Sequence, residues 1–470
     1  MTPDDLAFAN ITEVASLIRR RELSPVELVD TILSRIERLN PVLNAFITVT
    51  ADEARRAAHQ AEQEIANGRY RGPLHGIPFS LKDLYLTQGI RTTGGSRILA
   101  EYVPTEGATV VEKLYAAGAI LLGKTNMHEF AYGSTTINPH YGATHNPWHL
   151  DRITAGSSGG SAAATAAGLG YASLGSETGW SIRRPASFCG VVGFKPTYGL
   201  LSRWGMLPAA WSLDHAGPLT RTVKDAALVA NAIAGHDPSD PASSHRTPPD
   251  CTAKLGRDLR GVRIGLPRHH YTGLVDPVVE SAFDTAMGTL ETLGARLIEI
   301  VLPRTRYAGI SSSIVMSSEV TAVHDRWIRE RPADYGEDVR ARVELGYTIG
   351  AADYIRGLRL RRWISAELDT VFQHVDVVAC PTAPQLATPI AEGAGGLRDP
   401  GFIVADGPFN LLRLFALIGI PAVSVPCGFS ADGLPIGLSI AGRAHDDATV
   451  LHLAHAYECA TKWHQRRPSI

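Results

Sequence analysis

Between Gly156 and Gly199 the chain places ten glycines in 44 residues, against 45 in all 470. Glycine at that density marks tight turns and close approach of backbone to backbone, the texture of a loop-built site on a rigid scaffold. Short β-like runs alternate with glycine turns and helical stretches from Gly76 onward, which predicts an α/β fold. With 45 Lys and Arg against 47 Asp and Glu the formal charge is −2, and mean hydropathy is −0.01. Such a balance excludes disordered, collagen-like and coiled-coil chains and offers no basic surface for nucleic acid or lipid. The length allows about three domains or one large one.

Ser24-Pro25-Val26-Glu27 predicts a capped helix start, with Leu28, Ile32, Ile36 and Leu39 on one face and a stop at Asn40-Pro41. Ala51 to Ala66 predicts a second helix. His236 to Asp250, rich in Pro, Ser and Asp, predicts an exposed loop. Val262 to Leu266, Asp376 to Cys380 and Ile420 to Val425 predict strands. Leu411 to Val425 is apolar but interrupted by Arg413 and Pro421, too short to span a bilayer. The start Met1-Thr2-Pro3-Asp4-Asp5 lacks a basic n-region and an apolar h-region, so a secretory signal is not expected. Five scattered cysteines, Cys189, Cys251, Cys380, Cys427 and Cys459, suit reduced thiols in the cytoplasm better than disulfides or zinc. His140, His145 and His149 lack the carboxylate or thiol that would complete a metal set, and loop roles are expected for them.

Two motif matches compete with a third pattern. Gly118 to Thr125 fits the phosphate-loop string, but Ala119 to Leu122 are all apolar and predict a buried strand, with Lys124 structural. Gly156-Ser157-Ser158-Gly159-Gly160 fits the nucleophile elbow, with Ser158 as nucleophile and a late histidine among His445, His452, His455 and His464. That leaves the cluster around Gly179 to Ser181 without a task. The third pattern is Lys82, the pair Ser157-Ser158, and Ser181 in Gly179-Trp180-Ser181-Ile182-Arg183. A lysine made neutral by burial is a base, a serine beside a base is a nucleophile, and a glycine-rich turn aims N–H groups at an oxyanion.

Ala155 to Ala164, then Leu174-Gly175-Ser176-Glu177-Thr178-Gly179-Trp180-Ser181-Ile182-Arg183-Arg184-Pro185-Ala186, and Phe188 to Thr197 together resemble the amidase signature family of serine hydrolases. Flanking matches are His75-Gly76-Ile77-Pro78, Gly123 to Met127, Gly217 to Thr222, Cys380-Pro381-Thr382 and Gly419 to Ala422. The resemblance implies one large mixed β-sheet core flanked by helices on both sides. It also implies a single domain over 1–470, with N-terminal helices (1–70), a core carrying the signature (71–235), the exposed loop (236–260), a helical substrate-pocket region (261–375) and C-terminal core elements (376–470). By the same resemblance Lys82 is the base, Ser157 the bridging serine after a cis peptide at Gly156, Ser181 the nucleophile, and the N–H groups of Thr178, Gly179, Trp180 and Ser181 the oxyanion hole. No metal or cofactor is implied.

The implied activity is hydrolysis of amide C–N bonds by a free-standing cytoplasmic amidase, with urethane (carbamate), ester and aryl acylamide cleavage within the class. The implied partner is a small-molecule substrate, without nucleic acid or membrane, and a homodimer is the family's suggestion. The alternative is the glutaminase-type A subunit of a tRNA-dependent amidotransferase, which passes ammonia to a partner. That type carries an Asp about twelve residues before the proline of Gly-x-Pro. Here that position is Phe409, with Asp406 three residues off. A non-catalytic binding protein would need the Lys82, Ser157 and Ser181 set to be idle.

Two departures stand out. Glu177 replaces the family's Asp, and Trp180 replaces the Gly before the nucleophile. Trp180 is read three ways: a pocket-shaping residue, an engineered substitution, or a change that damages activity. A left-handed backbone at that position would strain it. Tyr132, Trp180, Ile310 and Ile314, with Tyr141, are the expected apolar pocket residues.

Overall fold

A computed structural model describes residues 1–393 and 408–470, the latter with side chains from residue 411. Asp406 lies outside the described residues, as does the side chain of Phe409.

Eleven strands form one mixed sheet. In chain order they are β1 (Phe46–Val49), β2 (Pro78–Lys82), β3 (Ile120–Thr125), β4 (Ala172–Glu177), β5 (Val192–Lys195), β6 (His215–Thr220), β7 (Arg263–Leu266), β8 (Arg296–Glu299), β9 (Val377–Pro381), β10 (Ala422–Phe429) and β11 (Pro435–Gly442). Their order across the sheet is β1-β3-β2-β4-β6-β5-β10-β11-β9-β7-β8. β2 runs parallel to β3 and β4, and β7 runs parallel to β8 and β9. The remaining neighbours are antiparallel. Every residue of β2, β3, β4, β6, β9 and β11 is buried, the mark of strands covered on both faces. The edge strands β1 and β8 have four residues each and are partly exposed, which limits edge pairing. No described helix is long and apolar enough to cross a membrane.

Ser24 caps the helix Pro25–Leu43, its Oγ accepting from the N–H groups of Val26 and Glu27 at 3.0 and 3.4 Å. The hydroxyl proton goes to Glu62 Oε1 at 2.5 Å, which ties this helix to Ala51–Ala66. The stop expected at Asn40-Pro41 falls three residues early. Leu43 is fully buried and holds the last turn, Pro41 costs it one N–H, and Asn44 ends it at φ 49°. The 236–260 segment is irregular as expected, yet not simply exposed. Asp237 accepts from Ser202 and Thr109, Asp240 pairs with Arg203, and both carboxylates are buried.

The phosphate-loop string is β3. Lys124 is buried and donates to Tyr85 O and Thr92 Oγ1, both at 2.7 Å, with Asp83 at 3.5 Å. Burial lowers its pKa to about 8. All five cysteines are free, and only Cys459 is exposed.

Candidate active site

The parallel neighbours β2 and β4 bring Lys82 and Ser176 together at one end of the sheet. Lys82 Nζ lies 2.6 Å from Ser157 Oγ, 3.0 Å from Ser158 Oγ and 2.9 Å from Ser176 Oγ, and its side chain is fully buried. Burial holds this amine well below the ordinary lysine range, against the opposing charges of Asp214 and Glu177.

Ser157 follows a cis peptide at Gly156, on the loop leading into the helix Gly159–Ala166. Gly156 is demanded by space. A Cβ there would stand 2.7 Å from Thr135 N and 2.8 Å from Ser134 C, both backbone. Gly156→Ala is therefore expected to destabilise by about 1–3 kcal/mol through overpacking. A denaturant midpoint equal to the parent's would show that the loop yields instead.

Ser158 does not present a free hydroxyl. Its Oγ donates to Ser176 O at 3.1 Å and accepts from Ser176 N and Lys82 Nζ. Of the late histidines, His452 bonds Asp258 O and His455 contacts Cys459. The elbow geometry is absent among these contacts.

Ser181 stands at the turn between β4 and the helix Arg183–Cys189. Glu177, the last residue of β4, organises that turn. It accepts from the N–H groups of Ile182 and Arg183 at 3.1 Å each, and pairs with the Arg183 guanidinium at 2.6 Å. Both side chains are fully buried. Arg183 also donates to Gly179 O and Leu412 O. The longer Glu thus caps the helix as a shorter Asp would, with a buried cation as counter-charge. Among the described residues, nothing accepts from the N–H groups of Gly179 and Ser181. The Ser181 hydroxyl likewise makes no hydrogen bond among them, so the Ser157–Ser181 contact is open in this state. Such contacts commonly tighten only when substrate binds.

A small recess of about 20 Å³ lies over Ser181, lined by Ala131, Tyr132, Gly133, Thr178, Gly179, Trp180, Met316 and Arg413. Trp180 is outside the left-handed region, so the feared steric strain does not arise. Its indole lies under the Arg413 guanidinium at 4.7 Å, with Arg184 at 5.8 Å.

Ile310 and Ile314 do not line this recess. On the helix Ala308–Glu330, Ile310 is 39 % exposed and Ile314 packs by Gly357 of Ala351–Val371. Met316, two residues on, turns to the site instead, and Tyr132 bonds Ser317 of the same helix at 3.1 Å. Arg413 was visible in the sequence as a lone cation in an apolar run, and its Nη1 donates to Ser313 Oγ at 2.8 Å. Tyr141 is absent from the lining. His140 bonds Glu129, His145 bonds Leu150 O and His149 pairs with Asp151. Among the described residues, no group of three His, Cys, Asp or Glu side chains is placed to hold a metal ion.

This fold and this cluster define an enzyme class that acts on carbon–nitrogen bonds. The Amidase family model matches residues 27–451, and the chain belongs to that family, the amidase signature enzymes. The chain is 43 % identical over 486 residues to the A subunit of the glutamyl-tRNA(Gln) amidotransferase of Thermosynechococcus vestitus, a match that covers 98 % of this chain and 99 % of that one. The crystal structure of the corresponding protein from Thermotoga maritima matches with TM-score 0.81 and 36 % identity over 96 % of this chain and 95 % of that one. A structure described as a vestigial protein complex that reveals the origins of an s-triazine catabolic enzyme matches with TM-score 0.91 and 33 % identity, over 98 % and 100 %.

These relatives correct two expectations. Full-length similarity at 40–43 % to curated amidotransferase subunits overturns the leading expectation of a free-standing amidase. It equally overturns the expected partner set of a small molecule without nucleic acid, since those relatives are named for a tRNA. Near-neutral total charge does not exclude such partners, because a subunit of a complex need not itself carry the surface that meets the nucleic acid.

Proposed function

We propose that this chain is the glutaminase-type A subunit of a tRNA-dependent amidotransferase, with Ser181 as nucleophile, Ser157 as proton relay and Lys82 as base. The observation that carries the reading is similarity to such subunits over nearly the whole of both chains. The 2.6 Å approach of Lys82 to Ser157 supports the residue roles.

With Lys82 neutral, its lone pair takes the Ser157 proton while Ser157 takes that of Ser181. Ser181 Oγ attacks the glutamine side-chain carbonyl. The N–H groups of the 178–181 segment receive the oxyanion. Return of the proton through Ser157 lets ammonia leave and an acyl-enzyme remain. Water attacks that ester by the same relay, glutamate departs, and the partner consumes the ammonia. The balance is glutamine plus water to glutamate plus ammonia. Trp180 and Arg413 form the wall that a glutamine side chain must pass.

The test supplies labelled glutamine to the chain alone and with the partner amidotransferase subunits and glutamyl-tRNA. Release of glutamate and ammonia, raised by partner and tRNA, is the expected result. Turnover of small aryl amides with no glutamine turnover in either setting would overturn the proposal.

A further inference from the structure

Asp214 stands just before β6 in a turn closed on itself. The N–H groups of Leu213 and Asp214 donate to Ala210 O at 2.8 and 2.9 Å. Those of Ala209 and Ala210 donate to Asp214 Oδ2 at 2.9 and 3.0 Å. The other oxygen, Oδ1, accepts from Thr178 Oγ1 at 2.6 Å. Asp214 is 3 % exposed and does not line the recess over Ser181, whereas Thr178 does. The 178–181 segment therefore has two anchors. Glu177 holds its far end through Ile182 and Arg183, and Asp214 holds its near end through the Thr178 hydroxyl.

We propose that Asp214 is the positioning residue of the oxyanion segment, acting through Thr178 to keep the 178–181 N–H groups aimed above Ser181. This rests on the reading of Ser181 as nucleophile. The donor count explains why the residue is a carboxylate. Three donors converge on two oxygens, and an asparagine amide would turn an N–H₂ group against either the Thr178 hydroxyl or the 209–210 N–H groups. A bond to a carboxylate is also shorter and stronger than one to a neutral acceptor, which suits a segment that must not relax as charge develops. Asp214 touches neither the recess nor the reacting atoms. Its charge also opposes the lowering of the Lys82 pKa, and Thr178→Val, which leaves that charge in place, isolates the geometric part.

The test compares Asp214→Asn, Thr178→Val, Thr178→Ser and the double variant Asp214→Asn/Thr178→Val. The readouts are the second-order rate of fluorophosphonate labelling at Ser181, and kcat and KM for glutamine with the partner subunits. Asp214→Asn and Thr178→Val are each expected to slow labelling roughly 10–100-fold, with the loss in kcat and little change in KM. The double variant should be no slower than the slower single one, because both remove one contact. Thr178→Ser keeps the hydroxyl and is expected to recover most of the labelling rate that Thr178→Val loses. If Asp214→Asn does not fold, the Thr178 pair decides alone. Thr178→Val labelling within about twofold of the parent, the scatter of an inert substitution, overturns the proposal, as do fully additive losses. A parent chain that takes no label at Ser181 overturns instead the assignment of the nucleophile.

Discussion

Lys82→Met is expected to lower turnover roughly 10²–10⁴-fold, the range of a lost general base, while the protein still folds. Methionine refills the buried volume, but three serine hydroxyls lose the amine they surround. The stability effect has a definite pH slope. Burial lowers the pKa of folded Lys82 well below that of an exposed lysine. Between the folded and unfolded values the unfolded chain binds a proton that the folded chain does not. The contribution of Lys82 to stability therefore rises with pH through that window and is smallest below the folded pKa. The melting temperature of Lys82→Met relative to the parent should be most favourable near pH 6 and fall toward pH 9. Turnover by the parent should rise with pH as the amine deprotonates, and level off well short of the ordinary lysine range. A pH-independent difference in melting temperature would mean that Lys82 stays charged in the fold.

Glu177→Gln is expected to cost about 3–5 kcal/mol of stability and most of the activity. Glu177 and Arg183 are both fully buried at 2.6 Å, and removing one charge leaves the other without its counter-ion. The carboxylate also accepts the two N–H groups that open the helix after Ser181. Glutamine keeps the volume and can accept at only one atom, so the turn carrying Ser181 loosens as the ion pair is lost. Glu177→Asp keeps the charge on a shorter stem and should fall between parent and Gln in denaturant unfolding. A Gln variant within about 1 kcal/mol of the parent would show that water or a shifted Arg183 replaces the pair.

Much of the candidate site was legible because its residues sit in short local strings. Lys82, Ser157 and Ser181 are carried by motifs whose glycines record close backbone contact, as the crowding at Gly156 makes plain. Pocket residues were less legible. Ile310 and Ile314 share a helix face with correct spacing, but spacing does not say which neighbour that face meets. Ile310 is exposed, Ile314 packs by Gly357, and Met316 meets the site. No motif along the chain marks Asp214, and its place beside Thr178 appears only when β4 and β6 pair.

The sequence by itself determined the α/β class, the family and the Ser24 cap of the first long helix, and it singled out the candidate Lys82, Ser157 and Ser181 set. All of these are local, since a turn, a cap or a buried strand is specified by neighbours a few residues apart. The tertiary structure alone decided that Trp180 escapes strain and lies under Arg413, that Ser158 is bonded inward, and that Asp214 holds Thr178. Those facts depend on contacts between segments distant in sequence, and packing in three dimensions sets them where no pattern along the chain records them.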